Sequence, residues 1–241
     1  MNHAFLDKYS NLNSLIHILD PRTKIITFLL FIIFVTTTAP QDYISFAAYA
    51  FIIIVVVFLS TVPLSYVFKR IVVIIPFVLL VAIFLPFANK GQQGWIIFWN
   101  VIIKSTLAVL ATIMLSSTTN FHNLLKGFEL LKFPKILIMI LSFMYRYVFI
   151  LVDEAQRMER ARNSRYFGGE YLRQIKIICN IIGLLFIRAY ERGERVYQSM
   201  SARGFDGNII TINKLKYTIT DIYFYIIFIG MIMIIKIWSL Y

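Results

Sequence analysis

Seven runs of apolar residues, separated by shorter polar segments, dominate the sequence. They cover residues 25–39, 43–62, 71–88, 95–115, 136–152, 177–187 and 222–240. A helix that crosses a bilayer needs about 20 residues, at a rise of about 1.5 Å each. The run at 177–187 is too short to cross alone, and the run at 25–39 needs residues from its flanks. The pattern predicts an all-α integral membrane protein.

Basic residues between the runs indicate the orientation, because cytoplasmic loops near membrane spans are enriched in Lys and Arg. The polar segments alternate: Lys8, Arg22 and Lys24 precede the first run, none lies at 40–42, Lys69 and Arg70 come next, and Lys90 alone follows. Segment 119–217 then holds 16 of the 24 Lys and Arg residues, against eight acidic ones. We therefore expect the N-terminus and this segment on the cytoplasmic side of the cell membrane.

Two apolar runs inside segment 119–217 are interpreted as interfacial helices. If 136–152 crossed the membrane, the cluster of Arg157, Arg160, Arg162 and Arg165 would lie outside, which the positive-inside rule opposes. We expect 136–152, which contains Arg146, and 177–187 to lie as amphipathic helices under the membrane helices. About five spans remain. Residues 1–118 supply four of them, 119–217 form a cytoplasmic or interfacial module, and 218–241 supply the last span of one integrated domain.

The composition supports a membrane location and excludes several protein classes. Hydrophobic residues make up 59% of the 241 residues and charged residues only 15%, where an ordinary domain has about a quarter charged. The net charge is +12, but nucleic-acid domains carry their basic residues on a soluble fold, so we expect no nucleic-acid partner. The single cysteine, Cys179, excludes an internal disulfide and a multi-cysteine zinc site. Five charged residues among the first 24 argue against a cleaved signal peptide.

Two lysines interrupt the predicted spans. Lys104 lies near the middle of its run and Lys236 near the end of the last one. A charge inside a membrane span is a functional candidate by default, and it would suit a self-contained channel or secondary transporter. The alternative is that Lys104 reaches the interface or is paired inside the bundle, and that Lys236, close to a helix end, reaches the interface. We favour the second interpretation for both lysines.

The polar module contains an internal repeat with a shift of 38 residues. This shift places Arg157 on Arg195, Arg165 on Arg203, Phe167 on Phe205 and Gly169 on Gly207. Both copies lie where a helix is expected to end, because Arg203 is followed by Gly204. A cation near a helix C-terminus complements the helix dipole, and a following glycine provides the left-handed cap.

The spacing of charges inside each copy also suits a helix. Residues eight apart lie close to one face and about 12 Å apart along the axis, so each copy carries two arginines on one face. Glu191 and Arg195 are spaced for an i,i+4 ion pair. Near the other end of the chain, Asp20 followed by Pro21 predicts a helix start, since Asp caps free N–H groups and Pro suits the first helical position.

Several motifs together resemble the transmembrane coupling subunit, or T component, of energy-coupling-factor ABC importers. They are Leu19-Asp-Pro-Arg-Thr-Lys24, Glu154-Ala-Gln-Arg-Met, Glu191-Arg-Gly-Glu-Arg-Val-Tyr and Ala202-Arg-Gly-Phe-Asp-Gly207. The amino-acid sequence of residues 191–207 is most similar to the cobalt-type branch of this family. The resemblance implies a helical membrane subunit with long crossed coupling helices, which lies between two cytoplasmic ABC ATPases and a small membrane substrate-binding subunit.

In that family, Ala-Arg-Gly motifs end the coupling helices and insert their arginines into grooves on the ATPases. The resemblance implies this role fully for Ala202, Arg203 and Gly204. The first copy, Ser164, Arg165 and Tyr166, keeps only the arginine, and we expect Gly168 and Gly169 to supply its turn, because Tyr adopts left-handed dihedrals less readily than Gly. Arg157, Glu191 and Arg195 are expected to support the two coupling helices.

The remaining functional alternatives are an importer with another substrate, a self-contained transporter and an enzyme. No P-loop motif is present, so ATP is expected on the partner ATPases and no cofactor on this chain. An enzyme is disfavoured because His3, His17 and His122 have no metal-binding spacing, while the adjacent Asp153 and Glu154 are better explained by pairing with Arg157. The branch resemblance implies cobalt or nickel as the substrate, and a vitamin such as biotin is the alternative.

Overall fold

Each apolar run of the sequence corresponds to one helix of the computed structural model, although the runs at 25–39 and 43–62 extend two and three residues past the ends of their helices. The structure describes residues 9–10, 12, 14–88, 92–165, 168, 171–207 and 217–240. These ranges contain nine α-helices and no strand. The helices are α1 (Leu15–Ile18), α2 (Pro21–Thr37), α3 (Tyr43–Leu59), α4 (Leu64–Ala88), α5 (Gln92–Thr118), α6 (Phe121–Leu130), α7 (Lys135–Ser164), α8 (Tyr171–Ser201) and α9 (Ile219–Leu240). The prediction of an all-α membrane protein is confirmed.

The helices divide into two compact units. The first, which we call the bundle, comprises residues 1–131 and 214–241, and the second, which we call the helix pair, comprises 132–213 and contains α7 and α8. In the bundle, α2 packs against α5, α6 and α9, and α4 packs against α5. The functional division at residues 118 and 217 stays a prediction.

The core of the bundle forms around α2 and α3, whose apolar side chains meet those of α5 and α9. Phe31 and Tyr49 are fully buried, and their ring centroids lie 5.8 Å apart in an edge-to-face arrangement. Phe28 makes a similar contact with Phe228 of α9 at 6.2 Å. Such aromatic pairs add about 1 kcal/mol each to the burial of their surface.

The carboxylate of Asp221 joins the start of α2 to the start of α9. Its Oδ1 accepts a hydrogen bond of 2.7 Å from the backbone N–H of Asp20, and its Oδ2 accepts one of 2.8 Å from the N–H of Thr218. The second bond has the geometry of a capping box at the start of α9. Asp20 in turn caps α2, because its Oδ1 accepts from the N–H of Arg22 at 2.9 Å and Pro21 is the first helical residue. The predicted helix start is confirmed.

Lys24 joins two further segments, α1 and α5, to the same end of α2. Its side chain is almost fully buried, and the ammonium donates to the carbonyl oxygens of His17 (3.1 Å) and Thr118 (2.9 Å). Thr118 is the last residue of α5, so the cation lies at a helix C-terminus, where the dipole favours it. Asp221 and Lys24 thereby connect α1, α2, α5 and α9 within one polar cluster.

Two lysines from neighbouring helices bind the opposite end of α2. Lys104 of α5 donates to the carbonyl oxygens of Thr36 (2.8 Å) and Thr38 (2.7 Å), and Lys236 of α9 donates to that of Thr37 (2.9 Å). These carbonyls are at the C-terminus of α2 and have no partner inside the helix. The structure therefore gives both lysines a partner in the bundle. Pairing was one of the two expectations for Lys104, whereas Lys236 was expected only to reach the interface.

The helices with the length and hydropathy of membrane spans differ from the predicted set. Four qualify among the described residues: Leu64–Pro86, Gly94–Thr118, Lys135–Ser164 and Ile219–Trp238. α2 and α3 have only 17 residues each, because α2 ends at Thr37 before a polar turn, and α3 begins after that turn at Tyr43 and ends at Leu59. α7 qualifies because its helix continues unbroken from the apolar run into the charged segment. Length and composition alone thus do not separate α7 from the spans, and its interfacial location stays a prediction.

We predict that Asp221→Ala destabilises the bundle by about 1–3 kcal/mol, because it leaves the buried N–H of Asp20 without its acceptor and removes the capping bond at the start of α9. The apparent melting temperature of the purified protein in detergent measures this loss. Asp221→Asn keeps one oxygen acceptor and should lie between the wild type and Ala. Thr112→Ala removes an exposed hydroxyl that bonds only within its own helix, and it should change the melting temperature little. Equal melting temperatures for Asp221→Ala and Thr112→Ala would contradict the assignment.

We predict that Lys104→Met lowers the apparent melting temperature as well, since two carbonyls at the end of α2 lose a charged donor, at a cost of about 1–3 kcal/mol. Lys69→Met provides the control, because Lys69 is an exposed lysine on α4. A Lys104→Met protein as stable as the wild type would show that the lysine does not stabilise this helix end.

Candidate functional site

The C-terminus of α8 ends in a Schellman motif that places Arg203 at the C-cap. The N–H of Phe205 donates to the carbonyl of Met200 (3.1 Å), and the N–H of Gly204 donates to that of Ser201 (3.0 Å). Gly204 has φ of +76°, the left-handed conformation that this motif requires. The backbone on both sides of Arg203 is therefore held by hydrogen bonds.

Arg203 and its neighbours are accessible at this helix end. Ala202, Arg203 and Gly204 are all exposed, and an alanine-like Cβ at Gly204 would meet no atom within 4 Å. Phe205 is half-buried and lines an apolar groove together with Met200, which is the apolar contact that commonly accompanies a Schellman motif. The site presents a charged, planar guanidinium on a backbone of defined geometry.

Arg165 occupies the corresponding position at the end of α7. It is the C-cap residue, and its N–H donates to the carbonyl of Arg162 at 3.0 Å, as the N–H of Arg203 donates to that of Met200 at 3.0 Å. The hydroxyl of Ser164 donates to the carbonyl of Arg160 at 3.0 Å. The prediction that both helices end at arginines 38 residues apart is confirmed by these two caps.

The turn after Arg165 is only partly described. Gly168 has φ of +87°, so one of the two glycines expected to form this turn is left-handed. Tyr166 and Gly169 lie outside the described residues. The rest of the first motif therefore stays a prediction, as do the roles of Arg165 and Arg203.

Glu154 joins α7 to α8 through two arginines. Its Oε2 accepts a hydrogen bond of 2.6 Å from Arg157 on its own helix, and its Oε1 accepts from the guanidinium of Arg188 on α8. The pairing of Glu154 with Arg157 was predicted. Arg188 was missed, because 34 residues separate it from Glu154 and no local pattern relates them.

An apolar groove of about 350 Å³ lies between the two helices. α7 lines it with residues of its first half, including Met139, Phe143 and Tyr147, and α8 lines it with residues of its second half, including Val196 and Met200. The two helices therefore run in opposite directions, and their arginine ends lie on opposite sides of the Glu154–Arg188 pair. Met139, Phe143 and Tyr147 are four residues apart, a spacing that indicates a helix face.

The supporting residues Glu191 and Arg195 form the expected pair on α8. The distance between Arg195 Nη1 and Glu191 Oε2 is 3.7 Å, and both side chains are more than half exposed. Exposed pairs of this kind contribute only a few tenths of a kcal/mol. Arg157 is engaged with Glu154. The supporting role expected of Arg157, Glu191 and Arg195 stays a prediction.

The described residues contain no group of three His, Cys, Asp or Glu side chains placed to hold a metal ion. Among the described residues, the exposed Cys179, His17 and His122 are thus not part of such a group. What the described part of the helix pair presents is exposed arginines and an apolar groove.

Comparison with known proteins agrees with this architecture. The chain matches the family model CbiQ, described as cobalt transport protein, over residues 12–212. It is 28% identical to the energy-coupling factor transporter transmembrane protein EcfT of Bacillus subtilis, over 86% of each chain. It is 28% identical to the EcfT of Streptococcus thermophilus, over 86% of this chain and 87% of the relative. An uncharacterized protein of Methanocaldococcus jannaschii is 26% identical over 92% of this chain and 82% of its own.

The matched region begins before α1 and extends past the end of α8, so it includes the Asp20 cap, the Glu154–Arg188 pair and both arginine ends. Since this region covers most of the 241 residues, the chain belongs to the CbiQ family of cobalt transport proteins.

Proposed function

We propose that this chain is the transmembrane coupling subunit of an energy-coupling-factor ABC importer. It transmits the ATP-driven movement of two cytoplasmic ATPases to a membrane substrate-binding subunit. The relatives named EcfT support this class of transporter, and the observation that carries the proposal is Arg203 at an exposed helix end that a Schellman motif fixes. The chain acts as a non-catalytic subunit.

Contact with the ATPases uses Arg203 and Arg165, which we call the coupling arginines. A guanidinium presents five donors in a planar fork, which suits a carboxylate on the partner in a bidentate arrangement. Because the backbone around Arg203 is held by the bonds of Phe205 and Gly204, a force on its side chain is passed to α8. A flexible loop would absorb that movement.

Coupling then proceeds through the helix pair. Closure of the ATPases around ATP displaces the ends of α7 and α8, and the subunit converts this displacement into a reorientation of the substrate-binding subunit. ATP is bound by the partners and no cofactor by this chain. The proposed orientation in the cell membrane has a cytoplasmic N-terminus, in agreement with the basic residues of segment 119–217.

The proposed substrate is a cobalt or nickel ion, supported by the description of the matching family. A vitamin such as biotin is the alternative, since the substrate site in such an importer would belong to the separate binding subunit. Purification of this chain with its partners, followed by identification of the binding subunit and its ligand, decides between the two.

We predict that Arg203→Glu reduces ATP-dependent uptake and co-purification of the ATPases by at least about tenfold, because a carboxylate replaces the cation that faces an acidic partner group. Arg165→Glu should act in the same direction. Arg203→Lys retains the charge but loses the fork, and an intermediate effect is expected. Uptake into proteoliposomes containing the full complex, with pull-down of the ATPases, measures these effects.

Lys176→Glu is the matched control for charge reversal, since Lys176 is an exposed basic residue at the other end of α8. It should leave uptake and ATPase association near the wild-type values. Normal uptake together with normal ATPase association in Arg203→Glu would exclude Arg203 from the coupling contact.

We predict that Gly204→Ala destabilises the Schellman motif at the end of α8 while leaving the side chain of Arg203 unchanged. The left-handed φ of +76° costs a residue with a Cβ about 1–2 kcal/mol, while the surrounding space is open, so the effect is purely conformational. Amide hydrogen exchange of Phe205 should become faster. Gly183→Ala is the control, and the opposite sign is expected for its effect on helix stability. Gly183 lies inside α8 in open space, so alanine should stabilise the helix. Unchanged exchange at Phe205 would show that the cap does not depend on Gly204.

A further inference from the structure

We propose that Glu154 is a positioning residue, which sets the register of α7 against α8 and with it the separation of the two coupling arginines. The meaning of that separation rests on the proposed function. The register itself is a property of this chain alone and can be measured independently.

The carboxylate of Glu154 is bound from two sides. Each of its oxygens accepts from a different guanidinium, Oε2 from Arg157 and Oε1 from Arg188. Its side chain is only 16% exposed, whereas those of Arg157 and Arg188 are 60% and 50% exposed. The two arginines therefore shield the carboxylate, and Arg157 orients it toward α8.

The rest of the contact between the helices has little directional preference. The groove is lined by apolar side chains such as Phe143, Leu151 and Val196. Apolar burial depends on area and not on direction, so one helix can slide along the other at modest cost. An ion pair between facing side chains is satisfied in one register only, and polar groups are known to specify register between helices in this way.

The Glu154–Arg188 ion pair lies between the two helix ends that carry Arg165 and Arg203. Leu151 is three residues before Glu154 and Ala189 directly follows Arg188, so the pair borders the groove on the side nearer Arg165. Along the helix axes, Arg165 is about 16 Å from Glu154 and Arg203 is about 22 Å from Arg188. Because the helices run in opposite directions, a slip by one turn changes the spacing of the arginines by about 5 Å. Such a change would remove one arginine from a fixed site on a partner.

Charge reversal with rescue tests this role in the full-length protein within its complex. Cysteines for spin labels are introduced by Asn163→Cys on α7 and Gln198→Cys on α8, in a Cys179→Ser background. Glu154→Arg or Arg188→Glu alone should shift the label distance by about 5 Å or broaden its distribution, and should lower uptake about tenfold. In the combined variant, the carboxylate on α8 again faces two guanidinium groups, one of them from Arg157. The wild-type distance and most of the uptake should return.

Substitutions that change the side chain less keep the test informative if the charge-reversal variants fail to fold. Glu154→Gln and Arg188→Gln remove the charge with little change in size, and each should broaden the distance distribution. Glu159→Arg reverses an exposed charge on the same helix and should leave the distance unchanged. An unaltered distance in all Glu154 and Arg188 variants, or a combined variant no better than the single ones, would overturn the proposal.

The two proposals fail in different ways. If Arg203→Glu leaves uptake intact while the Glu154 variants change the label distance, the coupling role is wrong and the register assignment holds. If Arg203→Glu abolishes uptake while the label distance stays the same in the Glu154 variants, the register assignment is wrong and the coupling role holds.

Discussion

The ends of α2 are the places on which the bundle depends, because lipid offers no water to satisfy the free backbone groups of a helix terminus. Charged side chains from other helices provide the partners. Asp221 accepts from the N–H that precedes the first turn, and Lys104 and Lys236 donate to carbonyls of the last turn. A short helix of 17 residues is thereby bracketed by α5 and α9, and its length is tolerated because its termini are satisfied inside the protein.

The helix pair differs from the bundle, because α7 and α8 bury little of their surface against each other. No described residue of α7 or α8 is buried, although both helices carry large exposed apolar side chains, such as Met144 on α7 and Ile182 and Phe186 on α8. Two helices of about 30 residues that bury so little against each other have no core of their own to fix their arrangement. A directional contact such as that of Glu154 with Arg188 is then more important than it would be in a packed domain.

The sequence predicted the helices well, because hydropathy is a local property and each apolar run became a helix. The cap at Asp20 and Pro21 was readable for the same reason. The set of membrane spans was not predicted correctly, since the length of α2 depends on its end at Thr37 and that of α3 on its limits at Tyr43 and Leu59. The contacts of Asp221 with Asp20 and of Lys104 with the end of α2 were also beyond local patterns, because these partners lie 201 and up to 68 residues away.

In the candidate site, too, the local features were predictable from the sequence and the contact between separate helices was not. The ends at Arg165 and Arg203 were predictable from a repeat and from helix-cap chemistry, both of which act within one turn. The contact of Glu154 with Arg188 was not, because it depends on how two separate helices are aligned. The two features also control different quantities. A cap fixes the local backbone geometry at one arginine, whereas only a contact between the helices can fix the distance between two arginines. The proposed function, in which the chain engages two ATPases at once, requires both, so a perfect cap on each helix would not suffice if the helices were free to slide.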